Sequence, residues 1–295
     1  MIAKLEMLIA LAKEQHFGHA AEALGITQPS LSNGIRQLED QLGVKLVNRG
    51  SRFGGLTPEG QRALVWARQI VGDARRLKQE MRATYAGLAG HVRLAVIPTA
   101  LTWAAELTAR FTERHPSTSF TVLSRSSEEI LKQIENLDAD AGLTYLDNEP
   151  LGRMTTTPLY REHYALLCRS DHVLAHKHSL RWPELNGIAM CLLTPDMQNR
   201  RILNRHLMQA GIEVVASVES NSTIVLVSNV IAGRSVTVLP DHLARFLAAG
   251  HDLCVVPIEE DSAAPTVGLV ALHREPYTPV VQALRKLVAE MARDQ

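Results

Sequence analysis

Cysteine is scarce in this 295-residue chain: only Cys168, Cys191 and Cys254 occur. An odd number so widely spaced excludes a disulfide framework and fits a reducing compartment. Long apolar runs are missing too. No stretch approaches eighteen uncharged apolar residues, which excludes a membrane-spanning helix. The N-terminus carries Lys4 and Glu6 at once, with Lys13 and Glu14 close behind, so no apolar signal-peptide core follows Met1. Net charge is absent as well, with 31 basic residues balancing 31 acidic ones. No phosphate-cradling glycine loop, GxSxG elbow or HExxH pair appears, so neither a catalytic residue nor a cofactor is assigned.

What is present is unevenly distributed. Residues 1–90 hold 12 Lys and Arg against 8 Asp and Glu, a net of +4, and the remainder holds 19 against 23, a net of −4. A basic N-terminal module on an acidic body suits contact with nucleic acid. Leu5, Leu8, Ile9 and Ala12 share one face of a helix over about 2–14. A second short helix spans 18–24 and stops at Gly25. A third opens with Thr27 as N-cap and Pro29 in its first turn, runs along Leu31, Ile35, Leu38 and Leu42, and closes at Gly43. Two helices joined by Gly25-Ile26-Thr27 on a supporting helix describe a helix-turn-helix. The start of its second helix would face base edges in the major groove, placing Thr27, Gln28, Pro29, Ser30 and Asn33 there, with Arg36 reaching phosphate. Residues 44–49 and 55–58 read as extended pieces around a basic tip, a wing with Arg49 and Arg52 as phosphate or minor-groove contacts. A small helical bundle with solvated arginines is the alternative.

The run Phe17-x-x-Ala20-Ala21-x-x-Leu24-x-Ile26-Thr27-Gln28-Pro29-Ser30-Leu31-Ser32 resembles the signature of LysR-type transcriptional regulators. So do Ile35-Arg36-x-Leu38-Glu39-x-x-Leu42-Gly43 and Leu56-Thr57-Pro58-Glu59-Gly60. The resemblance covers most of residues 1–65. It departs at Asn33, where the family commonly has a basic residue, and at Val47, where it has an aromatic. From Pro58 to about Leu88 a long helix is expected, with Leu64, Ala67, Val71, Ala74, Met81, Tyr85 and Leu88 as an approximate heptad seam. It reads as a linker pairing two subunits, as the resemblance also implies; an intramolecular core helix is the alternative.

Beyond Gly90, strands and helices alternate, which predicts a mostly parallel α/β sheet followed by a second similar unit. Strands are expected at 92–97, 119–123, 141–144, 164–168, 190–193, 213–218, 236–239, 253–257 and 267–272. Ser126-x-x-Glu129 reads as a capping box. Two lobes with two crossovers look like a periplasmic-binding-protein fold, which LysR-type regulators use to bind an effector. The resemblance is looser here, resting on Glu219-Ser220-Asn221-Ser222 and on Val230-x-Ala232-Gly233-x-Ser235-Val236-x-x-Leu239-Pro240. The expected fold is α+β and multidomain: a winged helix-turn-helix over 1–58, a linker helix over 59–89 and a two-lobed effector domain over 90–295. Lobe I would take about 90–162 and 267–295, and lobe II about 163–266.

In open parallel sheets ligands sit beyond the carboxyl ends of strands, where helix N-termini favour anions. Thr99, Tyr145, Thr194, Gln198, Asn199 and Ser222 follow such strand ends and are candidate effector contacts; Thr99 and Ser222 would otherwise merely cap helices. The pattern fixes no arginine as a carboxylate clamp, though Arg200 or Arg201 could serve. A small anion or carboxylate is therefore the expected effector class, its identity left open. His172-x-x-x-His176-x-His178 lacks a matching cysteine or carboxylate set, so no metal is expected. Peroxide-sensing members of the family place a reactive cysteine where this chain has Gln198 and Asn199, which argues against that mechanism here. The expectation is a cytoplasmic, non-enzymatic regulator that binds double-stranded promoter DNA as a homodimer or homotetramer, with RNA polymerase as a further partner. A solute-binding or enzymatic α/β protein with an incidental helical head is the alternative.

Overall fold

The structure, a computed structural model, describes residues 1–49, 53–86, 88–147, 150–212, 216–233, 235–259, 264–273, 275 and 277–294; the side chains of Arg49, Arg76, Gln79, Glu80 and residues 82–86 lie outside the description. The chain divides into two compact units. One is Met1–Gly87 with Glu135–Leu137, and the other is Leu88–Ile134 with Asp138–Gln295.

In the first unit, helix α1 (Ile2–Glu14) buries Leu5, Leu8 and Leu11. Helix α2 (Phe17–Ala23) begins one residue earlier than its composition suggests. His16 caps it, Nδ1 accepting from the amides of Gly18 at 3.1 Å and His19 at 3.3 Å. Helix α3 (Gln28–Leu42) is capped as its sequence predicts, Thr27 Oγ1 accepting from the Ser30 amide and Gly43 closing it at φ 71°. Strands β1 (Val47–Arg49) and β2 (Phe53–Leu56) form an antiparallel wing. Phe53 therefore belongs to a strand rather than to the expected tip, because its ring packs edge-on against Phe17 at 6.2 Å.

Helix α4 (Pro58–Ala86) corrects the expected dimer seam. Ala67 and Val71 are buried in the core that holds Leu5, Leu8, Leu11, Leu31 and Leu38, so they serve their own unit. The exposed large apolar side chains described on this helix are Val65, Trp66, Ile70, Leu77 and Met81, of which only Met81 belongs to the expected seam; Trp66, Ile70, Leu77 and Met81 share one side. Spaced four, seven and four residues apart, they form a separate stripe along the helix.

The second unit holds a five-stranded sheet and a pair of smaller ones. Strands β3 (Gly90–Val96), β4 (Thr118–Ser124), β5 (Ala141–Tyr145), β6 (Met154–Arg161) and β12 (Thr266–Leu272) lie in the order β4-β3-β5-β12-β6. The first three pair in parallel, while β12 runs antiparallel to β5 and β6. Helices α5 (Leu101–Arg114), α6 (Ser127–Glu135) and α10 (Pro279–Met291) belong to this lobe. In the other lobe, β7 (Tyr164–Arg169) lies between β10 (Thr237–Pro240) and β11 (Leu253–Pro257), antiparallel to both, and β8 (Met190–Leu193) pairs in parallel with β9 (Ala216–Ser220). Helices α7 (Gln198–Gln209), α8 (Thr223–Ile231) and α9 (Asp241–Ala248) complete it. Strand β6 and helix α9 are additions to the expected elements, and residues 213–215 of the expected strand lie outside the described residues. Cys168 and Cys254 stand opposite each other on β7 and β11 as free thiols, and burial pushes Cys168 up to about 11.

Candidate functional site

The exposed side of α3 carries Gln28, Pro29, Ser30, Asn33 and Arg36, all open to solvent. Leu31, Gly34, Ile35, Leu38 and Glu39 face the core. Gly34 lies against Met7 of α1, where an added Cβ would strike the thioether, so α1 and α3 meet closely at this point. The Thr27 hydroxyl is spent on the helix end, and it also pairs with Ser30 Oγ at 2.9 Å. That leaves Gln28 and Asn33 as the outward-facing amide side chains near the start of α3, with Arg36 beyond them. Glu39 holds the wing to this helix. Its Oε1 accepts from the amides of Leu46 at 2.9 Å and Val47 at 3.3 Å, while Lys45 Nζ reaches Oε2 at 3.2 Å. Val47 is buried, and Phe53 on the facing strand supplies the aromatic packing that Val47 lacks. Arg49 contributes backbone to β1, and Arg52 lies outside the described residues.

In the second unit, a cleft of about 410 Å³ opens between the lobes. Pro98, Leu101, Ser124, Arg125, Ser126 and Glu129 form one wall, and Met197, Asn221, Ser222, Thr223 and Ile224 the other. Both walls are built from strand ends and helix starts. Ser126 and Glu129 form the expected capping box, with Glu129 Oε2 accepting from the Ser126 amide at 2.9 Å. Ser222 precedes α8 without capping it, so the first-turn amides of that helix have no side-chain acceptor. Arg125 brings a guanidinium to the same cleft, one of its nitrogens donating to the Ser124 carbonyl at 2.7 Å.

A surface presenting Gln28, Asn33 and Arg36 beside a wing, in a chain whose other unit holds a cleft between two α/β lobes, is the organisation that two family models describe. Residues 2–61 match the bacterial regulatory helix-turn-helix protein, lysR family, and residues 86–293 match the LysR substrate binding domain. The chain belongs to the LysR family of transcriptional regulators. It is similar to the uncharacterized HTH-type transcriptional regulator YbhD of Escherichia coli, 27% identical over 99% of this chain and 92% of that protein. It is also similar to the hydrogen peroxide-inducible genes activator of Dickeya chrysanthemi, 26% identical over 98% of this chain and 95% of that one. Among solved structures, a full-length OxyR variant from Pseudomonas aeruginosa superposes with a TM-score of 0.74 at 25% identity, covering 99% of this chain and 94% of that one. Full-length CbnR in complex with its target DNA superposes at 0.64 with 18% identity, a likeness of fold, covering 99% of each chain.

Within this LysR-type regulator the expected effector contacts separate into two groups. Ser222 lines the cleft. Thr99 lies buried beside Pro98, its hydroxyl without a hydrogen bond and its carbonyl 3.2 Å from His242 Nε2. The Thr194 hydroxyl and Gln198 Oε1 are likewise buried without partners, while Gln198 Nε2 donates to the Asp147 carbonyl at 3.1 Å. Tyr145 and Asn199 belong elsewhere: both are buried and bonded to Glu162, because a carboxylate cut off from water recruits every donor in reach. Arg200 is also corrected as a clamp. Its guanidinium is occupied by the Leu193 carbonyl, Glu219 and Asn204 at 2.6–2.8 Å. Arg201 donates to the Asp196 carbonyl at 2.7 Å.

The residues that sequence reasoning misses are Arg125 and Glu162. Arg125 stands next to the Ser126 capping box, so its nearness to a strand end is legible, but the opposing wall is not. Glu162 lies between β6 and β7 and looks like any loop acid. Among the described residues no group of three His, Cys, Asp or Glu is placed to hold a metal ion, and no helix is long and apolar enough to cross a membrane.

Proposed function

We infer that this regulator binds double-stranded promoter DNA as a homodimer or homotetramer and responds to a small anion or carboxylate held between its α/β lobes. The observation that carries the effector class is the meeting of the Arg125 guanidinium with the α8 start, which has no side-chain cap, in one cleft. Helix-start amides without a side-chain cap and a cation together favour a compact negative charge. The exposed stripe of Trp66, Ile70, Leu77 and Met81 supports pairing of two copies along α4, since a second copy would cover it. Membership of a family of bacterial DNA-binding regulators supports action on DNA in the cytoplasm, with RNA polymerase as the downstream partner.

Titration calorimetry of the full chain with a panel of small carboxylates and inorganic anions tests the effector class. At least one should bind, and Arg125→Ala should weaken it by about 1.5–3 kcal/mol, tenfold or more, as expected for a charge-assisted hydrogen bond. Binding of an apolar ligand alone, with every anion silent, removes the anion reading. For the DNA face, Gln28→Ala should cost about 1–3 kcal/mol on the specific site in gel-shift titrations and relax base preference. An equal loss on specific and random DNA takes Gln28 out of base reading.

A further inference from the structure

The most unusual group in the second unit is a carboxylate fully removed from water at the point where the chain passes from one lobe to the other. Glu162 follows β6 of the first lobe, precedes β7 of the second, and has no solvent exposure. Its Oε1 accepts from the Tyr145 hydroxyl at 2.5 Å, from the Tyr164 hydroxyl at 3.0 Å and from Asn199 Nδ2 at 3.3 Å. The Tyr160 hydroxyl lies 3.5 Å from Oε2. Asn199 Nδ2 also reaches the hydroxyls of Tyr145 and Tyr164, at 3.1 and 3.4 Å, so the cage is cross-linked. Tyr145 ends β5 and Tyr160 lies on β6 in one lobe, while Tyr164 and Asn199 belong to β7 and α7 in the other. One carboxyl group therefore holds donors from both lobes. The donors are phenols and an amide, none of them cationic.

The cage is walled by rings from both sides. Trp103 of α5 stacks on Tyr160 at 5.1 Å, and His242 of α9 meets the same ring edge-on at 4.9 Å. His206 of α7 meets Tyr164 at 5.8 Å and stacks on Trp182 at 4.8 Å. Thr99 adjoins Tyr145 from the start of the first lobe's helix. Burial lowers the affinity of both His206 and His242 for protons, which disfavours a charged ring behind the phenols. The guanidinium of Arg200, next to Asn199, is turned to Glu219.

We propose that Glu162 is a proton-binding site, and that its occupancy regulates the opening of the lobes around the interlobe cleft. The ionised carboxylate in a sealed cage has lost its hydration, and neutral donors return only part of it. The acid suits the closed cage, provided it donates its own O–H and one phenol rotates to accept. Burial accordingly pushes Glu162 up to about 7, against the pull of its four donors. The arrangement that buries the group binds the proton more tightly, so by linkage proton uptake favours closure and proton release favours an arrangement that admits water. The proton comes from solvent and returns to it, and no other bond changes. The consequence for an effector rests on the proposed reading of the cleft, but the linkage itself needs no effector.

Infrared difference spectra of the full chain between about pH 6 and about pH 8 bracket the expected transition. The wild type should show a protonated-carboxyl band that fades with rising pH, and Glu162→Gln should lack it. Spin labels at Lys132→Cys and Met208→Cys, in a Cys254→Ser background diluted with unlabelled chain, should report a longer interlobe distance at the higher pH in the wild type. In Glu162→Gln that change should vanish. Tyr145→Phe keeps the carboxyl but removes a donor to the ionised form, so the band's midpoint should rise by about half a pH unit or more. Absence of any fading carboxyl band in the wild type overturns the proposal. So does a pH-dependent distance change that survives in Glu162→Gln, a distance that does not move in the wild type, or an unmoved midpoint in Tyr145→Phe. Anion binding in calorimetry is untouched by these outcomes, so the two readings fail separately.

Discussion

Replacing Glu39 with alanine is expected to destabilise the DNA-binding head by roughly 2–6 kcal/mol, from two orphaned amides at about 1–3 kcal/mol each. The Glu39 carboxylate is buried under the wing, and Oε1 accepts from the amides of both Leu46 and Val47. Neither amide can turn to solvent, because Leu46 and Val47 are core residues. Lys45 adds little to this total: its side chain is 61% exposed, so its ion pair with Glu39 is screened by water. The start of α4 leaves the wing no room to settle inward, since Gly60 already touches the Leu46 carbonyl so closely that a single Cβ would collide with it. Thermal melts of the full chain should show the transition of residues 1–87 falling while that of the second unit stays in place. Specific and random DNA should lose affinity together, since the helix face is intact and the fold beneath it is not. Glu39→Gln, which keeps one acceptor oxygen, should recover part of the loss. A melt unchanged in Glu39→Ala would mean that the wing is held by packing alone.

The helix-turn-helix is legible residue by residue because every boundary has a local cause. Thr27, Pro29 and Gly43 mark the ends of α3, and the buried spacing of Leu31, Ile35 and Leu38 fixes its inner face. The α/β alternation of the second unit reads almost as easily where its parallel strands hold buried apolar runs, as at residues 94–96 and at Met190–Leu193. Elements without such marks are lost. Strand β6 contains Thr155, Thr156, Thr157 and Pro158, a polar run with a proline, and becomes a strand because β12 pairs along its length. Helix α9 follows Pro240 so closely that Pro240-Asp241 reads as a turn. Helix α4 carries two apolar stripes, and the sequence alone does not say which meets α1; packing assigns Ala67 and Val71 to it and leaves Trp66 and Ile70 outside.

The site shows the same division between local and distant causes. Gln28, Asn33 and Arg36 are legible because exposure on a capped helix follows from the positions of its buried residues. Glu162 is not, because its character depends on Tyr145, Tyr160, Tyr164 and Asn199 converging from both lobes. Tyr145 ends a strand and Asn199 lies in the first turn of a helix, both near the lobe junction. Their polar groups are turned inward, to a buried charge that no spacing rule reveals.

That buried charge leads to the other large effect, on the stability of the second unit. Glu162→Ala should destabilise it by roughly 3 kcal/mol or more in acid, since Tyr145, Tyr164 and Asn199 lose a shared partner where water does not reach. The pH dependence of the wild type follows from the direction of the shift. Glu162 is raised from 4.5 to about 7 on folding, so in the unfolded chain it releases its proton at the lower of these values. Its contribution is complete below about pH 4.5 and is lost as pH rises to about 7, a decline on the order of 3 kcal/mol. Glu162→Gln has no proton to release, so its curve should lack this decline, matching the wild type in acid and exceeding it above pH 7; His206 and His242, whose proton affinity burial lowers, add the same rise with pH to both proteins. Denaturant unfolding of the second unit at several pH values, followed through Trp103 and Trp182, separates these curves. A Glu162→Gln curve that parallels the wild type throughout would place the titrating group elsewhere. If Glu162→Ala proved as stable as the wild type in acid, the phenol cage would have to find its partners in water instead.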